Sequence, residues 1–311
     1  MTIERKSPTG ILGFPTAPFK ENGVLDENAL AANIQFLVDE GLSSIFIACG
    51  SGEFHAINKS EYQVMVETAV KVVNGKVPIY TGVGGNITTA IELVKLSKDL
   101  GADGYLILPP YLIVGEQKGL YNYYKAVIET SELNAIIYQR DNAIFSLETV
   151  QRLVDNFPQI VGLKDGYGNM ELALEFTQTL GDRIEFLNGM PFAEITMPAY
   201  ANIGFNSYSS AMSNYIPHIS RIYYDALLGG NKELVRQIYV DVMLPLNRIR
   251  QARKGYAVSL IKAGMEIMGM DVRGTVRPPV IELEKAHYHQ LEAVIKNTLE
   301  KYPIVKEEVR S

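Results

Sequence analysis

The chain has 311 residues, 47% of them hydrophobic, and a formal net charge of −6. That is ample apolar material for a large packed core, and an acidic chain without a basic run suits neither nucleic acid nor an anionic membrane surface. A single cysteine, Cys49, excludes an internal disulfide and fits a reducing cytoplasm.

The opening MTIERKSPTG lacks the apolar core of a signal peptide, and no later stretch has the continuous apolar length of a membrane span. A soluble cytoplasmic protein is expected. Gly10 to Phe19 reads as a first strand, interrupted late by Pro15 and Pro18. Asp26 caps a helix through Glu40, with Leu30, Ile34, Leu37 and Val38 on one face. Ser44 to Ala48 is a second buried strand that runs into Cys49-Gly50-Ser51-Gly52-Glu53. A helix from about Ser60 to Val73 leads to a third strand, Val77 to Val83, which turns at Gly84-Gly85-Asn86. The next helix runs from about Thr88 to Leu100. Gly104 to Leu108 is the fourth strand, closed by Pro109-Pro110-Tyr111, and Ala135 to Tyr138 is the fifth, after a helix near Lys118 to Thr130. Ser146 caps the helix before the sixth strand, Ile160 to Leu163, which delivers Lys164. Ile184 to Leu187 is the seventh strand, and the eighth falls around Gly204 to Tyr208.

Eight strand-then-helix units with buried apolar strands predict a parallel (β/α)8 barrel, an α/β fold. The barrel is expected over residues 1–225. Residues 226–311 form a C-terminal helical extension packed on it, with amphipathic helices at Lys232–Arg253, Tyr256–Met268 and about Lys285 to Leu299.

Such a barrel builds its site at the C-terminal ends of the strands. Lys164 leaves an apolar strand just before a glycine-rich turn, and desolvation favours the neutral amine that attacks a ketone to form a Schiff base. The alternative is an ion pair with the adjacent Asp165. Tyr138 ends the neighbouring strand, either as a proton relay or as a packed rim tyrosine. Gly50 and Ser51 offer backbone N–H groups and a hydroxyl that suit a carboxylate, or form a plain tight turn. Gly82-Val83-Gly84-Gly85 lacks the third glycine of a dinucleotide fingerprint, and the scattered histidines have no metal-ligand spacing.

These residues resemble the dihydrodipicolinate synthase and N-acetylneuraminate lyase family, Schiff-base lyases built on a (β/α)8 barrel with a C-terminal helical extension. Gly50-Ser51-Gly52-Glu53 is similar to its carboxylate-binding turn, Gly162-Leu163-Lys164-Asp165 to its lysine motif, and Tyr138 to its catalytic tyrosine. Asn188-Gly189 and Gly204 to Ser207 are similar to its seventh and eighth strand ends. The chain departs from the synthases in carrying Leu112 where they have a second tyrosine, and from the sialic acid lyases in carrying Met190-Pro191-Phe192 after the strand-seven glycine. Tyr138 to Asn142, Lys164 to Asn169, Ser207 to Ala211 and Arg253 to Ala257 resemble the branch acting on a 2-keto acid with a second carboxylate.

The resemblance implies a decarboxylating dehydratase that needs no metal and no organic cofactor, with Lys164 as nucleophile and Tyr138 in proton transfer. It places Gly50, Ser51 and Gly189 around the keto acid, Asn206, Ser207 and Ser209 near the substrate hydroxyls, and Arg140 near the distal carboxylate. A homo-oligomer, dimer or tetramer, is expected. Two other activities remain open at this point: a pyruvate-dependent aldolase or synthase, and a catalytically silent keto-acid-binding regulator.

Overall fold

The computed structural model describes residues 7–304. The first six residues, which begin the opening read for a targeting signal, lie outside them, as do residues 305–311 at the end of the expected extension. Strands β1 (Gly10–Gly13), β2 (Ile45–Ile47), β3 (Ile79–Gly85), β4 (Gly104–Pro110), β5 (Asn134–Gln139), β6 (Ile160–Asp165), β7 (Glu185–Asn188) and β8 (Ser207–Ser210) close a barrel in sequence order. Every pairing is parallel, and β8 seals the ring by pairing Ser207 with Gly10 through Ser210 with Gly13.

Helices α1 (Glu27–Asp39), α2 (Lys59–Val73), α3 (Ile87–Asp99), α4 (Gln117–Ile128), α5 (Leu147–Asn156), α6 (Met170–Leu180) and α7 (Ala193–Ala201) connect the strands. The starts of α1, α2, α3, α5 and α6 follow from short polar side chains that satisfy orphan N–H groups. Asp26 accepts from the Ala29 N–H, Ser146 from Thr149, and Asn58 forms a capping box with Glu61. One core lies between strands and helices. A second fills the barrel, where Phe14, Phe46 and Tyr80 stack with ring centroids 4.5 and 5.0 Å apart.

After β8 come α8 (Pro217–Leu228), α9 (Lys232–Ile238), α10 (Leu244–Gln251), α11 (Tyr256–Ile267) and α12 (Lys285–Lys301). The helix expected over 232–253 is divided by a π segment, Tyr239–Met243. Pro245 is the physical reason: it has no N–H for the carbonyl four residues back, and its ring crowds that carbonyl. Strand β1 is also shorter than expected, since Pro15 and Pro18 remove donors that a longer ladder would need. No helix among the described residues is long and apolar enough to cross a membrane.

Candidate active site

Strand pairing brings the two chief candidates together, because Tyr138 of β5 lies directly opposite Lys164 of β6. Alternation along β6 then sends Lys164 into the barrel and Asp165 out of it. Lys164 is 5% exposed, with its Nζ 4.0 Å from the Tyr138 ring centroid and 5.2 Å from that of Phe14. Asp165 has partners of its own: it accepts from Gln139 Nε2 at 3.0 Å, Tyr200 Oη at 2.5 Å, and the N–H groups of Tyr167 and Gly168. The carboxylate beside Lys164 therefore anchors the β6 turn, and the lysine enters the site without it.

The Tyr138 hydroxyl donates to the Gly189 carbonyl at 3.1 Å and accepts from Arg140 Nη1 at 3.2 Å. Burial alone raises a phenol's pKa, but the charges of Lys164 and Arg140 outweigh it and hold Tyr138 below the ordinary tyrosine value. A phenol that gives up its proton more readily than usual, beside an amine, is suited to passing a proton. Arg140 also donates from Nε to Asp141 at 3.2 Å. Its fork is thus directed at Tyr138 and Asp141, beside the amine.

Lys164, Tyr138, Arg140, Gly50, Ser51, Gly189 and Ser209 all line one cavity of about 330 Å³. Glycine at 189 is dictated by the lysine, since a Cβ there would stand 2.6 Å from Lys164 Cγ and 2.8 Å from Nζ. At Gly50 the same atom would meet nothing within 4 Å, so that glycine is not required by packing. Cys49 lines the wall at 1% exposure, and burial pushes its thiol up to about 12, which leaves it an inert wall atom.

Asn206 and Ser207 are not part of this cavity, which corrects the expectation placed on them. Strand β8 begins at Ser207 beside Gly10, so both residues sit at the N-terminal end of the barrel. Ser207 Oγ accepts from the Gly10 N–H at 3.0 Å, and Asn206 is exposed. The C-terminal end of β8 is instead Ser209-Ser210. Ser210 Oγ donates to the buried Glu194 at 2.7 Å, and burial pushes that carboxyl up.

The far wall comes from the C-terminal extension. Leu246 and Arg250 of α10 and Ala257, Val258, Leu260 and Ile261 of α11 complete the cavity. Arg253 to Ala257 makes the turn between these helices: Arg253 pairs with Glu284, and Gly255 takes a φ of 89° at the start of α11. This wall is tied to the 50–53 turn by a fully buried ion pair of Lys262 and Glu53. Glu53 also accepts from the Arg277 N–H at 3.0 Å, and Lys262 donates to the Thr275 carbonyl at 2.7 Å. In three cations, Lys164, Arg140 and Arg250, and no carboxylate, the lining has the composition of an anion site.

The sequence and the fold both have known relatives. The sequence profile of the dihydrodipicolinate synthetase family matches residues 7–298. A Bacillus licheniformis protein named probable 5-dehydro-4-deoxyglucarate dehydratase is 62% identical over 303 residues, 97% of this chain and 98% of its own. A protein of the same name from Oceanobacillus iheyensis is 56% identical over 302 residues, again 97% and 98%. Among solved structures, dihydrodipicolinate synthase from Oceanobacillus iheyensis superposes with a TM-score of 0.86 at 28% identity, covering 92% of this chain and 95% of that one. The chain belongs to the dihydrodipicolinate synthetase family.

Proposed function

We propose that the protein is a decarboxylating dehydratase converting 5-dehydro-4-deoxy-D-glucarate to 2,5-dioxopentanoate, carbon dioxide and water through a Schiff base on Lys164. The observation that carries this reading is the charge of the cavity. Three cations and no carboxylate line it, which suits a keto acid with a carboxylate at each end. The names of the relatives at 62% and 56% identity support the same substrate, and a dehydratase is a lyase.

The Lys164 amine adds to the C5 ketone, and loss of water gives the imine, with the adjacent carboxylate at the Gly50-Ser51 turn. Tyr138, poised between Lys164 and Arg140, moves the proton that the carbinolamine oxygen needs to leave. The protonated imine is an electron sink, so C4 loses a proton and the enamine expels the C3 hydroxyl as water. The C1–C2 bond then breaks. Its electron pair runs through the conjugated iminium as carbon dioxide leaves, and the C2 hydroxyl becomes the aldehyde. Protonation at C3 and C4 and hydrolysis of the imine release the product with net uptake of one proton. Since the iminium accepts the electrons, the chemistry calls for no metal or organic cofactor.

The apolar run Tyr111 to Val114 after β4, 67–80% exposed, supports a homo-oligomer, a dimer or tetramer, that covers it. The acidic chain with one cysteine supports the cytoplasm as its location. The test is mass spectrometry after borohydride treatment with 5-dehydro-4-deoxyglucarate and, separately, pyruvate, while carbon dioxide is monitored. A reduced adduct on Lys164 with carbon dioxide from the glucarate derivative alone is the expected result. A pyruvate adduct with no carbon dioxide from either compound refutes the dehydratase and favours an aldolase.

A further inference from the structure

Two guanidinium groups line the cavity, and their surroundings differ. Arg140 is committed beside the amine, donating from Nη1 to Tyr138 and from Nε to Asp141. Arg250, on the last turn of α10, has a buried Nε with no hydrogen-bond partner, and it forms no ion pair among the described residues. Folded proteins leave few buried guanidinium N–H groups without an acceptor, because desolvating a charged donor is costly. The carboxyl of Glu194 acts on Arg250 electrostatically. No hydrogen bond joins the two, however: one Glu194 oxygen accepts from Ser210 and the Met212 N–H, the other is, like Arg250 Nε, buried without a hydrogen-bond partner, and burial pushes the acid up. Burial and the charge of Arg140 both push Arg250 down, so an incoming anion relieves an existing electrostatic strain.

We infer that Arg250, presented by the C-terminal extension, binds the distal carboxylate of the substrate and makes the site selective for dicarboxylic keto acids. Arg140 serves Tyr138 in this arrangement, so the two arginines divide the work between the ends of the substrate. The inference rests on the proposed Schiff-base reading, because it takes Lys164 as the point that holds the keto end. A monocarboxylate such as pyruvate fills the Lys164 end and leaves Arg250 without an acceptor. A dicarboxylate supplies one, and the planar fork suits bidentate capture.

The test uses Arg250→Gln and Arg250→Lys in the full chain. Competing 2-oxoadipate and 2-oxohexanoate, which match in length and differ in the distal carboxylate, are trapped on Lys164 with borohydride and counted by mass spectrometry. Pyruvate is trapped separately. The wild type is expected to favour 2-oxoadipate by between about tenfold and a hundredfold, the range for one charge-assisted hydrogen-bonded contact. Arg250→Gln should abolish that preference and lower the ratio of 2-oxoadipate to pyruvate adduct, while Arg250→Lys keeps part of the preference.

A wild type without preference, or a preference that survives Arg250→Gln, overturns the inference. If Arg250→Gln traps no keto acid at all, Arg250→Lys decides: a reduced preference supports the assignment, and parallel loss of both adducts overturns it. Absence of any adduct on the wild type overturns this inference and the proposed function together. The two part company elsewhere. An Arg250-dependent preference without carbon dioxide from 5-dehydro-4-deoxyglucarate removes the dehydratase and leaves the assignment standing. Equal kcat/KM for carbon dioxide release in wild type and Arg250→Gln removes the assignment and leaves the dehydratase.

Discussion

Replacing Gly189 by alanine isolates the contact that holds the reactive amine. Its backbone is outside the left-handed region, so alanine brings only a methyl group. That methyl would stand 2.6 Å from Lys164 Cγ, 2.8 Å from Nζ and 3.0 Å from Cε. Ordinary carbon contacts are about 3.5–4.0 Å, so the lysine has to retreat by roughly 1 Å. The Cγ contact lies close to the main chain, where a rotation of the terminal bonds gives no relief. A displacement of that size at a reacting atom costs about a hundredfold in rate, or roughly 2.7 kcal/mol of barrier. Stability should fall by only about 1–3 kcal/mol, the usual range for an overpacked site. The assay is the initial rate of borohydride-trapped pyruvate adduct, alongside a denaturant melt. Gly50→Ala serves as the control, because its added Cβ meets nothing within 4 Å and stability should stay within about 0.5 kcal/mol. If Gly189→Ala traps pyruvate within about threefold of wild type, the steric account of this glycine is wrong.

Lys262→Met leaves Glu53 as a fully buried unpaired charge and should cost about 3–5 kcal/mol by chemical denaturation. Arg253→Ala breaks an exposed pair and should cost under about 1 kcal/mol; equal losses would contradict the burial argument. Arg140→Gln removes one of the charges that hold the Tyr138 phenol low, so the limb of the kcat/KM profile that reports this phenol should move to higher pH. An unmoved limb would detach Arg140 from Tyr138. Glu194 has its folded pKa raised by burial, so its contribution to stability is fully present below the unfolded value and is lost as pH rises through the folded one. Glu194→Gln, which cannot ionise, should therefore gain on wild type as pH rises above the ordinary carboxyl range in paired denaturation curves, and a gap that narrows with pH refutes this.

Lys164 and Tyr138 were legible because apolar strands must be buried and because a parallel barrel sets neighbouring strand ends side by side. Ile160 to Leu163 is a continuous apolar run, and the register that sets Tyr138 opposite Lys164 follows from closing the sheet. Strand β8 was harder to place. Ser207-Tyr208-Ser209-Ser210 has the composition of a turn, yet Ser207 and Ser210 are buried and paired with Gly10 and Glu194. Reading the strand early put Asn206 and Ser207 at the wrong end of the barrel. Arg250 and Lys262 were illegible for another reason. An amphipathic pattern shows which face of a helix is apolar, but not which mouth of a barrel that face covers. The division of the 232–253 helix was in principle readable from Pro245, though not the wide turn that accommodates it.

Cys49 turns the cavity wall into a clock. It is the chain's one thiol, it is 1% exposed, and its pKa is pushed up to about 12. Thiol reagents attack the thiolate, so a folded molecule with its wall closed is close to silent. Labelling then counts openings of the Cys49–Glu53 segment, with no competing signal from a second site. Because Glu53 is bound to Lys262, an opening that reaches Glu53 also parts the strand end from the extension, an event no substrate assay sees.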